Sequence, residues 1–116
     1  MKNKTFFQKV KCAFVGLISA FKSEKSFSYY FLILITTIII NLALKLPILC
    51  ICANIIGAML VFAAEALNTA IEKICDYLTK DYSAQIKFIK DVAAGGVLCC
   101  GGIYFFVEFI MLWLYL

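Results

Sequence analysis

The sequence predicts an all-α membrane protein, with an N-terminal amphipathic helix at the membrane interface followed by three transmembrane helices. The first observation is composition: the 116 residues are 65% hydrophobic with a mean hydropathy of +0.99, against roughly 45–50% apolar content in soluble domains. The second is where the charges fall. Residues 26–44 and 46–64 carry none, and from Val92 to Leu116 the only charge is Glu108. Each stretch meets the need for about 20 apolar residues to cross the hydrocarbon core. The third is length: one short domain, residues 1–116, could not hide this much apolar surface from water as a soluble bundle.

Residues 5–23 open the domain with helical periodicity. Phe6, Phe7, Val10, Ala13, Phe14, Leu17, Ile18 and Phe21 share one face, and Gln8, Lys11, Ser19 and Lys22 the other. Lysines opposite large apolar side chains suit a helix lying in the membrane interface. The segment "KSEKSFS" leads to the first crossing, residues 27–45, which begins too late and lacks the small-residue site of a removable signal peptide. Pro47 suits the first turn of the next helix, and nothing breaks the pattern from there to Leu78. A helix over 48–78 is roughly 46 Å long at 1.5 Å per residue, against a hydrocarbon core of about 30 Å. Its last third must protrude. The third long helix covers 84–116, and its small-residue run "AAGGVLCCGG" suits close helix approach within or between chains.

Lysines set the orientation. Lys2, Lys4, Lys9, Lys11, Lys22 and Lys25 precede the first crossing, and Lys73, Lys80, Lys87 and Lys90 lie between the second and third. Only Lys45 marks the other side. The positive-inside rule then puts the N-terminus and residues 65–91 in the cytoplasm and the C-terminus outside, as a multi-pass protein of the plasma membrane. The net charge of +4 suits anionic headgroups or nucleotide phosphates. No continuous basic face with interleaved aromatics appears, which argues against nucleic acid. Six cysteines without any His exclude a Cys/His zinc set and read as small apolar packing residues.

The protruding third of the second long helix carries an unusual pattern. Glu65, Asn68, Glu72 and Asp76 lie at about 0°, 300°, 340° and 20° on a helix, one stripe bordered by Thr69. Like charges at i,i+4 repel, and carboxylates at the hydrocarbon edge are costly. Four acceptor-bearing side chains aimed one way suggest a cation, Mg²⁺ above all, which takes oxygen ligands and bridges phosphates. Glu24, before the first crossing, and Lys87, Lys90 and Asp91, before the third, face the same boundary. Carboxylates with a metal, plus lysines, are parts of a phosphoryl-transfer site. From the residues alone, a proton- or cation-coupled carrier and plain interfacial charges stand beside that interpretation. Glu108, midway along the third crossing, raises a functional question of its own, although it is near enough to the outer end to snorkel.

The run "EALNTAIEKICDYLTKD" followed by "KFIKDVAAGGV" resembles the signature of the small prokaryotic diacylglycerol kinase/undecaprenol kinase family. The pattern E-x-x-N-T-A-I-E-x-x-x-D, then K-D-x-x-x-x-x-V, falls on Glu65, Asn68, Thr69, Ala70, Ile71, Glu72 and Asp76, then Lys90, Asp91 and Val97. The resemblance extends over essentially the whole chain and rests more weakly on Gly16, Glu24 and Phe27 in the N-terminal part. It implies an integral membrane homotrimer that moves the γ-phosphoryl of ATP to a lipid alcohol at the cytoplasmic interface. It further implies that Glu65 is the general base, that Glu24 and Glu72 hold Mg²⁺ with ATP, and that Asn68 orients the reacting groups. Lys90 would contact phosphate, and Asp76 and Asp91 would surround the nucleotide; Lys87, one turn from Asp91, is a further nucleotide-binding candidate from the residue pattern.

Two departures stand out. Relatives carry Arg in the N-terminal helix and after the Glu24 position, whereas this chain has no Arg; Ser28 stands where one is common, and Lys9, Lys11 or Lys25 would act as point charges instead. Ser83 replaces a common loop His. These losses admit an inactive assembly partner as an alternative. "KDVAAGGV" is more similar to the Gram-positive-type sequences, which tend to be undecaprenol kinases, than to the proteobacterial diacylglycerol kinases.

Overall fold

The computed structural model describes residues 5–116; Lys2 and Lys4, counted above for orientation, lie outside the described residues. Four helices follow one another: α1 (Phe6–Ser23), α2 (Lys25–Ala43), α3 (Ile48–Leu78) and α4 (Ala84–Tyr115). Among the described residues there is no strand. The last three helices are each long and apolar enough to cross a membrane.

Local chemistry sets each boundary. Thr5 caps α1 with a reciprocal box: the Gln8 N–H donates to Thr5 Oγ1 (3.3 Å) and the Thr5 N–H to Gln8 Oε1 (3.0 Å). No residue of α1 is buried, as expected of a helix whose apolar face meets lipid. It is fastened at its end by Phe21, whose ring packs 6.2 Å from Phe27 and 6.0 Å from Phe31.

The link from α1 to α2 is shorter than the sequence pattern suggests. Only Glu24, with extended backbone (φ −121°, ψ 122°), separates them, so α2 starts at Lys25 rather than 27. It also stops at Ala43 rather than 45, because the chain must reverse. The Leu44 N–H closes on Ile40, the Lys45 N–H on Leu42 and the Leu46 N–H on Asn41, with Lys45 left-handed at φ 56°. Pro47 then starts α3. At the far end Ser83 caps α4, its hydroxyl accepting from the Ile86 N–H at 3.4 Å.

α3 is the central rod, with α2 and α4 packed antiparallel on it. Phe27 stacks on Phe62 at one end and Thr37 meets Asn54 towards the other; Lys90 meets Asp76, and Cys50 meets Met111. The apolar core is small: Leu34, Ala58, Val61 and Tyr104, flanked by Tyr30, Ile33, Phe62 and Cys100. Large exposed apolar side chains cover the rest of the surface, an arrangement suited to lipid as solvent.

The structure revises three expectations. Among the glycines the tight approach is at Gly57, where a Cβ would come 2.9 Å from Tyr104 Cδ1, whereas added Cβ atoms at Gly95, Gly96, Gly101 and Gly102 would meet nothing within 4 Å. The glycines of the α4 run therefore make no close helix approach within the described chain, although Val97 is buried and Cys100 packs on the core. Glu108 does not reach outward; it is turned into the bundle and is 6% exposed. Of the cysteines, only Cys50 and Cys75 are buried.

Candidate functional site at the Glu65 end

The stripe on α3 is assembled from α3 outward. Glu65 and Asn68 are each 7% exposed. The Ser26 hydroxyl, in the first turn of α2, donates to Glu65 Oε1 at 2.8 Å. α2 can supply that donor because it begins immediately after Glu24. One turn further, Asn68 Nδ2 donates to Glu72 Oε1 at 3.1 Å, leaving the Asn68 Oδ1 and Thr69 Oγ1 atoms buried without a partner. Buried polar atoms of this kind cost about 1–3 kcal/mol each when unmatched. They mark where a ligand would gain most.

The far end of the stripe is tied to α4. Lys90 Nζ donates to Asp76 Oδ1 at 2.8 Å, and Lys87 pairs with Asp91 one turn apart on the same helix. Asp76 lies in the last turn of α3, beyond the length needed to cross hydrocarbon. The Lys90 hydrogen bond, then its charge, holds the Asp76 carboxyl below the usual carboxylate range, with Lys80 and Lys73 adding to the effect. The same hydrogen bond raises the Lys90 ammonium.

Glu24 sits at the α1–α2 joint and pairs with Lys73 at 3.8 Å. Lys73 follows Glu72 in sequence but lies about 100° round the helix from it. The pair is loose and Lys73 is largely exposed, so it contributes little to stability and is easily exchanged for another cation. The structure thus joins Glu65 to Ser26, Asn68 to Glu72, Asp76 to Lys90 and Lys87 to Asp91, and turns Glu24 to Lys73. Among the described residues no three acidic or thiol side chains converge on one point. The donor chemistry still fits Mg²⁺, which is held by one or two carboxylates plus phosphate and water: Glu72, the unpartnered Asn68 Oδ1 and Glu24 are all oxygen donors at this end.

Beside the stripe a groove of about 620 Å³ runs between α1 and α3, lined among others by Gly16, Ala20, Ala66, Thr69 and Lys73. Sequence reasoning missed Ser26, whose hydroxyl looks like ordinary linker polarity until α2 is placed beside α3. It also missed a second polar cluster in the membrane. Tyr104 OH donates to Asn54 Oδ1 at 2.7 Å, Asn54 Nδ2 donates to Thr37 Oγ1 at 3.0 Å, and the Tyr104 and Thr37 hydroxyls are 2.6 Å apart. Isolated polar residues at 37, 41 and 54 within apolar runs were the available signal.

Comparison with known proteins gives a family. The model described as prokaryotic diacylglycerol kinase matches residues 11–112, a span holding Glu24, Glu65, Asn68, Glu72, Asp76, Lys87, Lys90 and Asp91. No curated protein matches the chain.

Proposed function

The chain belongs to the prokaryotic diacylglycerol kinase family and is a multi-pass membrane lipid kinase; from that premise we propose that it phosphorylates undecaprenol, with diacylglycerol as the runner-up acceptor, using ATP and Mg²⁺ at the cytoplasmic boundary. The observation that carries the proposal is Glu65, a buried carboxylate at the hydrocarbon edge, oriented by Ser26 and adjoining Asn68 and Glu72 on one helix face.

The division of labour follows depth. Glu65 is the deepest member of the stripe, where the hydroxyl of a membrane-borne alcohol can reach. Its carboxylate takes the hydroxyl proton as the alcohol oxygen bonds to the γ-phosphorus and the bond from that phosphorus to the β–γ bridging oxygen breaks, releasing ADP. Ser26 holds the carboxylate in place. Asn68 steadies Glu72 and presents its free amide oxygen to the reacting groups. Lys90 and Lys87 contact phosphate oxygens, with Asp76 and Asp91 setting their positions. Glu72 and Glu24 would hold Mg²⁺, which neutralises phosphate charge when bound.

A homotrimer suits this arrangement, because unmatched polar atoms and the open small-residue face of α4 would be covered by a neighbouring copy. The preference for undecaprenol rests on the small residues after Lys90–Asp91. Purified protein offered each alcohol with γ-labelled ATP tests the reading: undecaprenol should be labelled faster, faster labelling of diacylglycerol reverses the substrate assignment, and an assembled preparation that labels neither rejects lipid phosphorylation. Glu72→Gln should weaken nucleotide binding measured with Mg²⁺ present.

A further inference from the structure

Glu24 is the single residue between α1 and α2. As the N-cap of α2 it stands beside the free N–H groups of that helix, yet its carboxyl makes no cap hydrogen bond there. It reaches instead to α3, where Oε1 lies 3.8 Å from Lys73 Nζ. The neighbouring carboxylate on α3, Glu72, is held by Asn68. A divalent ion on Glu24 would therefore stand close to the Lys73 ammonium, and two cations that close repel. Lys73 and the ion compete for one carboxylate. Lys73 is free to give way: its side chain is 63% exposed and that of Glu24 30%, so little solvation is at stake and the pair holds weakly. Where the ammonium goes is constrained. Lys73 lines the groove of about 620 Å³ between α1 and α3, beside Ser19, Ser23 and Thr69, and among the described residues that lining has no carboxylate. The Ser19 and Ser23 hydroxyls already donate to the Val15 and Ala20 carbonyls, and Asp76 is engaged by Lys90. Once off Glu24, the ammonium lacks an anion.

We propose that Lys73 is an exchangeable counter-ion, which neutralises Glu24 while the site is empty, yields that carboxylate to the incoming metal, and then turns its ammonium to a phosphate oxygen of the nucleotide. The inference rests on the reading in which Glu24 holds Mg²⁺ with ATP. Lysine suits the exchange, because its ammonium is a compact point charge on a flexible four-carbon stem and donates to a carboxylate or a phosphate alike. The metal arrives bridging phosphates, so the anion that Lys73 lacks comes with the ion that displaces it. Glu24 is neutralised in both states, and neither state sets two cations on one carboxylate. The chain has no Arg, so its side-chain cations towards phosphate are all lysines. A fixed tie between the α1–α2 joint and α3 would have a different signature, since removing it would not help a metal to bind.

The test uses the full chain in phosphatidylcholine nanodiscs. Mn²⁺ titrated without nucleotide, and followed by loss of the free-ion EPR signal, should bind about two- to fivefold more tightly to Lys73→Met than to the parent chain. In a Glu24→Gln background that gain should vanish. The ATP KM at saturating Mg²⁺ should move the other way, rising by a similar factor in Lys73→Met and returning towards the parent value in Lys73→Arg. Mn²⁺ affinity that is equal or weaker in Lys73→Met, a gain that survives Glu24→Gln, or an unmoved ATP KM overturns the proposal. So does a KM change that appears only with phosphatidylglycerol in the disc, which assigns the freed ammonium to lipid headgroups. The two readings fail separately. If Glu24→Gln alone leaves Mn²⁺ affinity unchanged, Glu24 is no metal ligand and the exchange falls with it. If Glu24→Gln weakens binding while Lys73→Met does not tighten it, Glu24 keeps its metal and only the exchange is lost.

Discussion

The hydroxyl that Ser26 donates to Glu65 Oε1 fixes the direction of the carboxylate that we propose as the base for the lipid hydroxyl. In a buried setting such an orienting bond matters more than it would in water. Ser26→Ala should therefore lower turnover about tenfold with little change in nucleotide KM, which steady-state kinetics can separate; a changed nucleotide KM with unchanged turnover would assign Ser26 elsewhere. Asp76 offers a check on the α3–α4 clamp. Its carboxyl titrates below the usual range because Lys90 favours the charged form. The ion pair's contribution is therefore fully present above the ordinary Asp pKa and is lost as pH falls through the depressed one. Carbon-detected NMR of the Asp76 carboxyl should show a midpoint below about 3.9, returning towards that value in Lys90→Met.

Among the elements, the α2–α3 turn and the α3–α4 seam carry the clearest energetic signatures. Lys45 occupies left-handed backbone at φ 56°, a conformation that costs a residue with a Cβ roughly 1–2 kcal/mol. Lys45→Gly should raise stability by up to about 1 kcal/mol in denaturation from mixed micelles, without affecting a site at the other end of α3. Gly57 behaves oppositely. A methyl there would sit 2.9 Å from the Tyr104 ring, so Gly57→Ala should destabilise by about 1–3 kcal/mol and disturb the hydrogen bond from Tyr104 to Asn54. Ser83 sets the start of α4, its hydroxyl capping the helix by accepting from the Ile86 N–H.

At the scale of the whole molecule, charge and hydropathy alone placed the three crossings and the stripe, because each is a local pattern of residues a few positions apart. α3 over Ile48–Leu78 is an example. What stayed hidden depends on how helices meet. Ser26 and Glu65 are 39 positions apart and Asn54 and Tyr104 are 50 apart, so their pairing needs the antiparallel register of α2 and α4 on α3. The same dependence explains why a snorkelling Glu108 was a reasonable expectation and a buried one is observed: its helix face is decided by Gly57 against Tyr104, not by its own neighbours in sequence. The proposed orientation makes a separate prediction: in sealed right-side-out vesicles an impermeant amine reagent should modify Lys45 and spare Lys80 and Lys87, whereas the reverse pattern would invert the topology.

The most direct measurement of the account is single-turnover transfer from γ-labelled ATP to lipid alcohol by Glu65→Gln, beside a parallel determination of nucleotide affinity. With Glu65 as the base, the variant binds nucleotide like the parent chain and transfers at least about a hundredfold more slowly. Transfer at the parent rate, or a loss wholly accounted for by weaker nucleotide binding, would contradict it.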